Sequence, residues 1–266
     1  LASACVLPPQ YGIPAQELDM WYTRAWEAAS KALQIDSTLA EAHTVLGEIA
    51  QDHYFDWGRA EKHFRRAIEL DPSYPTAHHW YTGTLLWLSR FEEALTEIKR
   101  AQELDPLSLI IGVTFGDILY FMRQYDKAIA QYKNTLSLDP NFPWAHLGLS
   151  TVFQMQGRLD EAIGEYQTIE NLIGKNPLIL SYLGRTYAMA GRKQEAGKVL
   201  DELLHFSQQG TAVSTGIAYI YYQLGDKDKT FEWLEKAYQV REVELPYLSI
   251  DPFWDDLRSD PRFITL

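Results

Sequence analysis

The stretch Ala67–Trp80, AIELDPSYPTAHHW, reads as the end of one helix and the start of another, with Asp71-Pro72 between them. Proline lacks an amide proton and its ring clashes with the preceding turn, so a helix stops there. Near-copies return as AQELDPLSL from Ala101 and TLSLDPNFPWAH from Thr135. Pro72, Pro106 and Pro140 lie 34 residues apart. Alanine steps at the same interval through Ala60, Ala94, Ala128, Ala162 and Ala196, and the next step lands on Thr230. Four residues beyond each stands a bulky side chain: Phe64, Ile98, Tyr132, Tyr166, Leu200 and Leu234. Three further on come Ala67, Ala101, Thr135, Ile169, Leu203 and Ala237.

The period has a mechanical meaning. Each unit holds two apolar stretches with helical spacing, each about a dozen residues long. In SRFEEALTEIKRAQELDP, Phe91, Ala94, Leu95, Ile98, Ala101 and Leu104 recur at three and four and make one apolar stripe. The small residue lets two helices approach closely, and the large one fills the space beside it. One such hairpin cannot bury its stripe alone, so neighbours stack.

The helix–turn–helix of 34 residues, with a Leu-Gly-like pair early, small residues at positions 20 and 27 and proline at 32, resembles the tetratricopeptide repeat. Leu46-Gly47, Phe115-Gly116 and Leu183-Gly184 match the early pair, and Tyr81-Thr82, Leu149-Ser150 and Ile217-Ala218 match it more loosely. The resemblance covers residue 40 to about 240. It implies an all-α, right-handed α-solenoid of stacked hairpins, with a concave groove lined by the first helix of each pair. The expected organisation is an atypical first repeat over 1–39, six repeats over 40–242 and short capping helices over 243–266. LASACVL matches the last half of a first helix, and a chain that begins there reads as part of a larger protein. One extra residue in the first full repeat predicts a longer turn around Asp52–Trp57. The fourth and fifth repeats lack the proline; Gly174 ends one helix, and SQQG, Ser207–Gly210, is expected to be a loop.

The tail YLSIDPFWDDLRSDPRFITL carries Asp-Pro at Asp251 and again at Asp260. Aspartate at the N-cap followed by proline at the first helical position is a good helix start. Two short helices there bring Phe253, Trp254, Leu257 and Phe263 against the last repeat. The tail resembles one that follows tetratricopeptide repeats in bacterial multidomain regulators, downstream of winged-helix, Ser/Thr kinase or cyclase domains.

In the family, positions 2, 5, 9, 12 and 13 of each first helix line the groove. By that resemblance the candidate residues are His79 and Trp87, then Val113, Asp117, Tyr120 and Phe121, then Trp144, Leu147, Thr151 and Met155, then Arg185, Tyr219 and Tyr222. The groove starts acidic, with Glu41, Glu48 and Asp52, and turns aromatic. Such a surface either captures a partner or closes on itself across a tight superhelix. Family members that grip a C-terminal carboxylate use Lys, Arg and Asn; here Arg185 alone is basic among the positions, so a basic or apolar segment fits better.

The chain has 266 residues, 46% hydrophobic, and a net charge of −12. That charge repels phosphate backbones and argues against nucleic acid. No apolar run approaches the roughly 20 residues of a membrane span, so the segment reads as soluble, and its compartment stays open between cytoplasm and periplasm. The single cysteine, Cys5, excludes an intrachain disulfide. His43, His78 and His146 share repeat position 4, which marks them as packing residues. No metal motif, phosphate loop or nucleophile elbow occurs, and no cofactor is expected. The expected function is a non-catalytic interaction scaffold; the alternatives are a regulatory region of a larger signalling protein and, with no motif behind it, an enzyme working in the groove.

Overall fold

The alternation of apolar stripes and breakers becomes a series of helical hairpins in a computed structural model, which describes residues 15–240, 242 and 245–264. Helix α1 spans Ala15–Ile35. Then follow α2 (Ala40–Asp52) with α3 (Trp57–Leu70), α4 (Pro75–Trp87) with α5 (Phe91–Leu104), and α6 (Leu109–Phe121) with α7 (Tyr125–Leu138). The next pairs are α8 (Pro143–Met155) with α9 (Leu159–Ile173), α10 (Pro177–Met189) with α11 (Lys193–Gln208), and α12 (Ser214–Gln223) with α13 (Lys227–Val240). Two 3-10 turns, Leu245–Ser249 and Pro252–Leu257, and the short α14 (Pro261–Ile264) close the chain. No strand occurs among the described residues. The fold is an all-α solenoid of tandem hairpins with a C-terminal helical cap. The half-helix read at Leu1–Leu7, with Cys5, lies outside the described residues, as does most of the turn after it.

The described residues fall into two compact units, one up to Ile118 and one from Leu119 onward. In the first, Ala60 and Ala94 have no exposed surface, and Phe64 and Ile98 beside them have none either. A Cβ on Gly47 would lie 2.9 Å from the Phe64 ring, so this early glycine is the gap that the phenyl ring fills. In the second, Ala128, Ala162, Ala196 and Thr230 are equally buried. There Gly148 faces Tyr132, whose ring would stand 2.3 Å from an added Cβ.

Each hairpin after the first turns on three residues, with the middle one at positive φ: Ser89, Arg123, Gly157, Gly191 and Gly225. In the α4–α5 turn, Arg90 N–H bonds Leu85 C=O at 2.8 Å and Ser89 N–H bonds Leu86 C=O at 2.8 Å. This pair of bonds satisfies carbonyls that the helix end leaves open. The first hairpin uses four residues, His53–Asp56, with Phe55 at φ 51°, which is the longer turn expected from its extra residue.

Between hairpins the aspartates of two Asp-Pro steps, Asp71 and Asp139, end their helices and fold back on the turn. Asp71 Oδ1 accepts from Ser73 N–H at 2.9 Å, and Asp139 Oδ1 accepts from Asn141 N–H at 2.9 Å. The position-4 histidines clamp this turn. His78 Nε2 lies 3.1 Å from Pro72 C=O and its Nδ1 lies 2.6 Å from Glu97. His146 repeats the arrangement with Pro140 C=O at 2.9 Å and Glu165 at 2.6 Å. In the first repeat the place of the glutamate is taken by His63, and the two rings meet Nδ1 to Nδ1 at 3.1 Å from His43. These three histidines therefore hold turns and hairpins together.

One boundary differs from expectation. SQQG is not wholly loop: α11 runs through Ser207 and Gln208, and the turn comes only at Gly210, φ 87°. Without a proline nothing removes the amide protons of this last turn, so the helix continues until a glycine reverses the chain. Just beyond α13, Glu242 is buried and caps α12: its carboxylate accepts from Ser214 N–H at 2.7 Å and Thr215 N–H at 2.8 Å. A carboxylate suits the unpaired amides and positive dipole of a helix start.

The tail caps the last hairpin as expected. Phe253, Trp254 and Leu257 pack with Tyr219, Phe231 and Leu234, and Phe263 joins at the edge. Asp251 Oδ1 accepts from Phe253 N–H at 3.0 Å, and Asp260 Oδ1 accepts from Arg262 N–H at 3.0 Å, so both Asp-Pro steps start helical turns.

Candidate partner-binding face

The first helices carry the candidate residues. In the first unit His79 is half-buried with Nε2 2.9 Å from Thr114 Oγ1, and burial lowers its pKa to about 4, so the ring is neutral at pH 7. Trp87 is half-buried and tilted against Trp57 at 4.8 Å. Val113 is buried and Asp117 half-buried. The acidic start is electrostatically tense. Glu48 and Asp52 stand one turn apart on α2, both half-buried. Burial and then the charge of Asp52 push the Glu48 carboxyl well above its usual range, and burial lifts Asp52 to about 6. Gln51 sits between them, its amide 3.1 Å from Asp52 and its carbonyl taking the Thr84 hydroxyl at 2.6 Å.

Elsewhere in this unit, charge is used for cohesion. Burial alone would push Glu61 up, but hydrogen bonds from Arg90, Tyr81 and Arg65 bring its carboxyl down to about 2. Tyr81 donates to it at 2.7 Å and Arg90 at 2.6 Å.

In the second unit, Trp144, Leu147, Thr151 and Met155 run along α8, all half-buried. Thr151 turns its hydroxyl back to Leu147 C=O at 3.0 Å. Tyr120, Phe121, Arg185, Tyr219 and Tyr222 form a second group. The first four are buried and Tyr222 is half-buried, because the tail covers them. Phe121 stacks on Tyr247 at 5.7 Å and 14°. Tyr219 stacks on Trp254 at 4.7 Å, and Tyr222 on the same ring at 5.5 Å. Tyr120 donates to Asp251 Oδ1 at 2.6 Å. Arg185 lies among Tyr182, Tyr219 and Phe253, with its guanidinium carbon 4.8, 4.7 and 4.3 Å from the ring centres. The repeat pattern identified these first-helix residues but not their cover. The tail's aromatics read as a cap on the last hairpin, and nothing in their spacing reveals that they reach α6 and α10 as well.

Among the described residues no group of three or more His, Cys, Asp or Glu is arranged to hold a metal ion. No described helix is long and apolar enough to cross a membrane.

Residues 116–157 match a family model described as TPR repeat, and residues 213–243 match one described as tetratricopeptide repeat. A comparison with curated proteins finds no match. Among solved structures, the Cut9–Hcn1 hetero-tetramer of the APC/C is similar at 15% identity and TM-score 0.68, over 82% of this chain and 43% of that one. A tetratricopeptide repeat protein from Parabacteroides merdae is similar at 16% identity and TM-score 0.67, over 86% of this chain and 93% of that one. PilW, a type IV pilus biogenesis factor, is similar at 23% identity and TM-score 0.62, over 70% of this chain and 86% of that one. At these identities the likeness is one of fold, and the match to tetratricopeptide-type repeats is carried by residues 116–157 and 213–243.

Proposed function

We propose that the chain is a non-catalytic interaction scaffold that takes a peptide or protein segment along its first-helix face. The observation that carries this reading is the run of Trp144, Leu147 and Met155 on α8. These large side chains recur at helical spacing, yet the hairpin core takes them up only in part. Aromatic and methionine side chains in such a position supply contact area that a partner can bury. In the first unit, the acidic pair on α2 is a separate place for a basic segment, since a cation beside Glu48 and Asp52 relieves their repulsion.

The test is selection of a random displayed peptide library on the purified chain, followed by binding to Trp144→Glu and Met155→Glu. The expected result is a family of apolar or basic peptides whose affinity falls at least tenfold in both variants while helical circular dichroism stays unchanged. Peptides that bind both variants as well as the parent would remove α8 from the site.

A second reading concerns context. The SDPRF tail packs as an ordered cap, and its resemblance to tails of multidomain regulators suits a regulatory region attached to a winged-helix, kinase or cyclase domain. The sequence of the whole gene decides it; a gene that encodes none of these domains removes the reading.

A further inference from the structure

In the second unit the tail does more than close the last hairpin. Asp251 reaches the first-helix face, where Tyr120 donates to Oδ1 at 2.6 Å and Tyr219 to Oδ2 at 3.3 Å. Phe253 lies edge-on to Tyr219 at 4.8 Å, and Trp254 is fully buried beside it. Beneath them is Arg185, 1% exposed. One of its nitrogens donates to Gln154; its Nε and Nη1 have no partner.

A buried guanidinium with two unpartnered nitrogens is costly, and a cap selected for stability alone would hold an apolar residue there. Arg185 suits a different task. Its planar fork matches a carboxylate, and its faces stack on aromatic rings. Phe253 supplies the ring at 4.3 Å, and Asp251 brings a carboxylate to the same face through Tyr120 and Tyr219, without a direct bond to Arg185. Asp251–Trp254 reaches Tyr120 and Tyr219 through side chains, and Phe253 and Trp254 pack in the apolar cluster of the last hairpin. At the rim, Arg123 meets Asp255 at 2.5 Å, both well exposed, where an ion pair contributes little.

We propose that Arg185, Tyr120 and Tyr219 form a receptor for an acidic-aromatic segment of a partner protein, an aspartate followed closely by two aromatics, and that Asp251–Trp254 fills it in cis. The proposal rests on the scaffold reading and names the partner chemistry for the tail-covered group of the second unit, while the α8 run takes the apolar or basic segment. The overall charge of −12 slows the approach of an acidic segment, but the receptor side itself carries Arg185 and Arg123. A tethered occupant lowers apparent affinity by the fraction of time the site is empty, so a partner must compete with the tail.

The probe is a fluorescent peptide of residues 245–258, LPYLSIDPFWDDLR, with a control peptide carrying Asp251→Asn and Phe253→Ala. It is titrated against the full chain, against Phe253→Ser, which loosens the tail, and against Phe253→Ser with Tyr120→Phe. The expected result is binding to Phe253→Ser about tenfold or more tighter than to the parent, weaker binding when Tyr120→Phe is added, and none by the control peptide. Amide hydrogen exchange of residues 245–257 in the parent should rise when the peptide is added. Where Phe253→Ser loses helical signal, Tyr247→Ser, which removes the half-buried ring stacked on Phe121, replaces it. A released, helical variant that binds the probe no better than the parent, or binds the control equally, overturns the proposal. A dimer formed by exchange of tails overturns the choice of occupant. Trp144→Glu should leave the probe unaffected, so failure here is separable from failure of the α8 site.

Discussion

The histidines show how one side chain reports on a repeat. His78 and His146 each bridge a turn carbonyl and a glutamate on the second helix, and the hydrogen bond that His146 donates to Glu165 raises its pKa. Where the first repeat substitutes His63 for that glutamate, burial and the neighbouring His43 lower the His63 pKa to about 4. The His43 pKa is lowered as well, by burial first. A histidine whose folded pKa is depressed favours the fold above pH 6.5 and loses that contribution as pH falls toward 4. One whose folded pKa is raised contributes below 6.5 and loses it as pH climbs through the raised value. His63→Glu should convert the first case into the second, with Arg59 and Arg66 nearby to receive the new carboxylate. At pH 5.5 the variant should be more stable than the parent by about 1–2 kcal/mol, and at pH 8 the gap should narrow. Urea titrations at the two pH values measure it; an advantage that is larger at pH 8 would refute the assignment.

At the level of the helix, the alanine and proline series alone predicted six hairpins, their turns and the lengthened first turn. That legibility comes from sterics: a Cβ-sized gap and a missing amide proton are fixed by residue type. The glycines show the same logic and its limit. Gly148 did not stand in the expected Leu-Gly position, yet it is the glycine that Tyr132 crowds most, because the ring reaches in from the preceding hairpin. Such a contact depends on which neighbour leans over, and spacing does not encode it. Opposite outcomes follow for one substitution. Gly148→Ala should cost about 1–3 kcal/mol, since the buried Tyr132 ring cannot retreat. Gly164→Ala, mid-helix with nothing within 4 Å of the new Cβ, should add about 0.5–1 kcal/mol. Thermal melts of the two variants compare them directly; shifts of the same sign would mean that the Tyr132 contact is misplaced.

Over the whole molecule, stacking makes stability a sum of hairpin terms and nearest-neighbour interfaces. The placement of the candidates on first helices was readable because a repeat fixes which helix each position falls on. The tail's place over Arg185 was not, because it depends on one non-repeating segment folding back across several first helices. The same additivity predicts how damage spreads. Ala196 has no exposed surface in the second compact unit, so Ala196→Arg forces a cation and extra volume into the α10–α11 contact. Amides of α10 to α13 should then exchange far faster than in the parent. Amides of α2 to α5 draw their protection from interfaces within the first unit and should keep it. Hydrogen exchange followed peptide by peptide reads both sets in one experiment, and uniform loss of protection along the chain would show a single cooperative unit in place of neighbour-by-neighbour coupling.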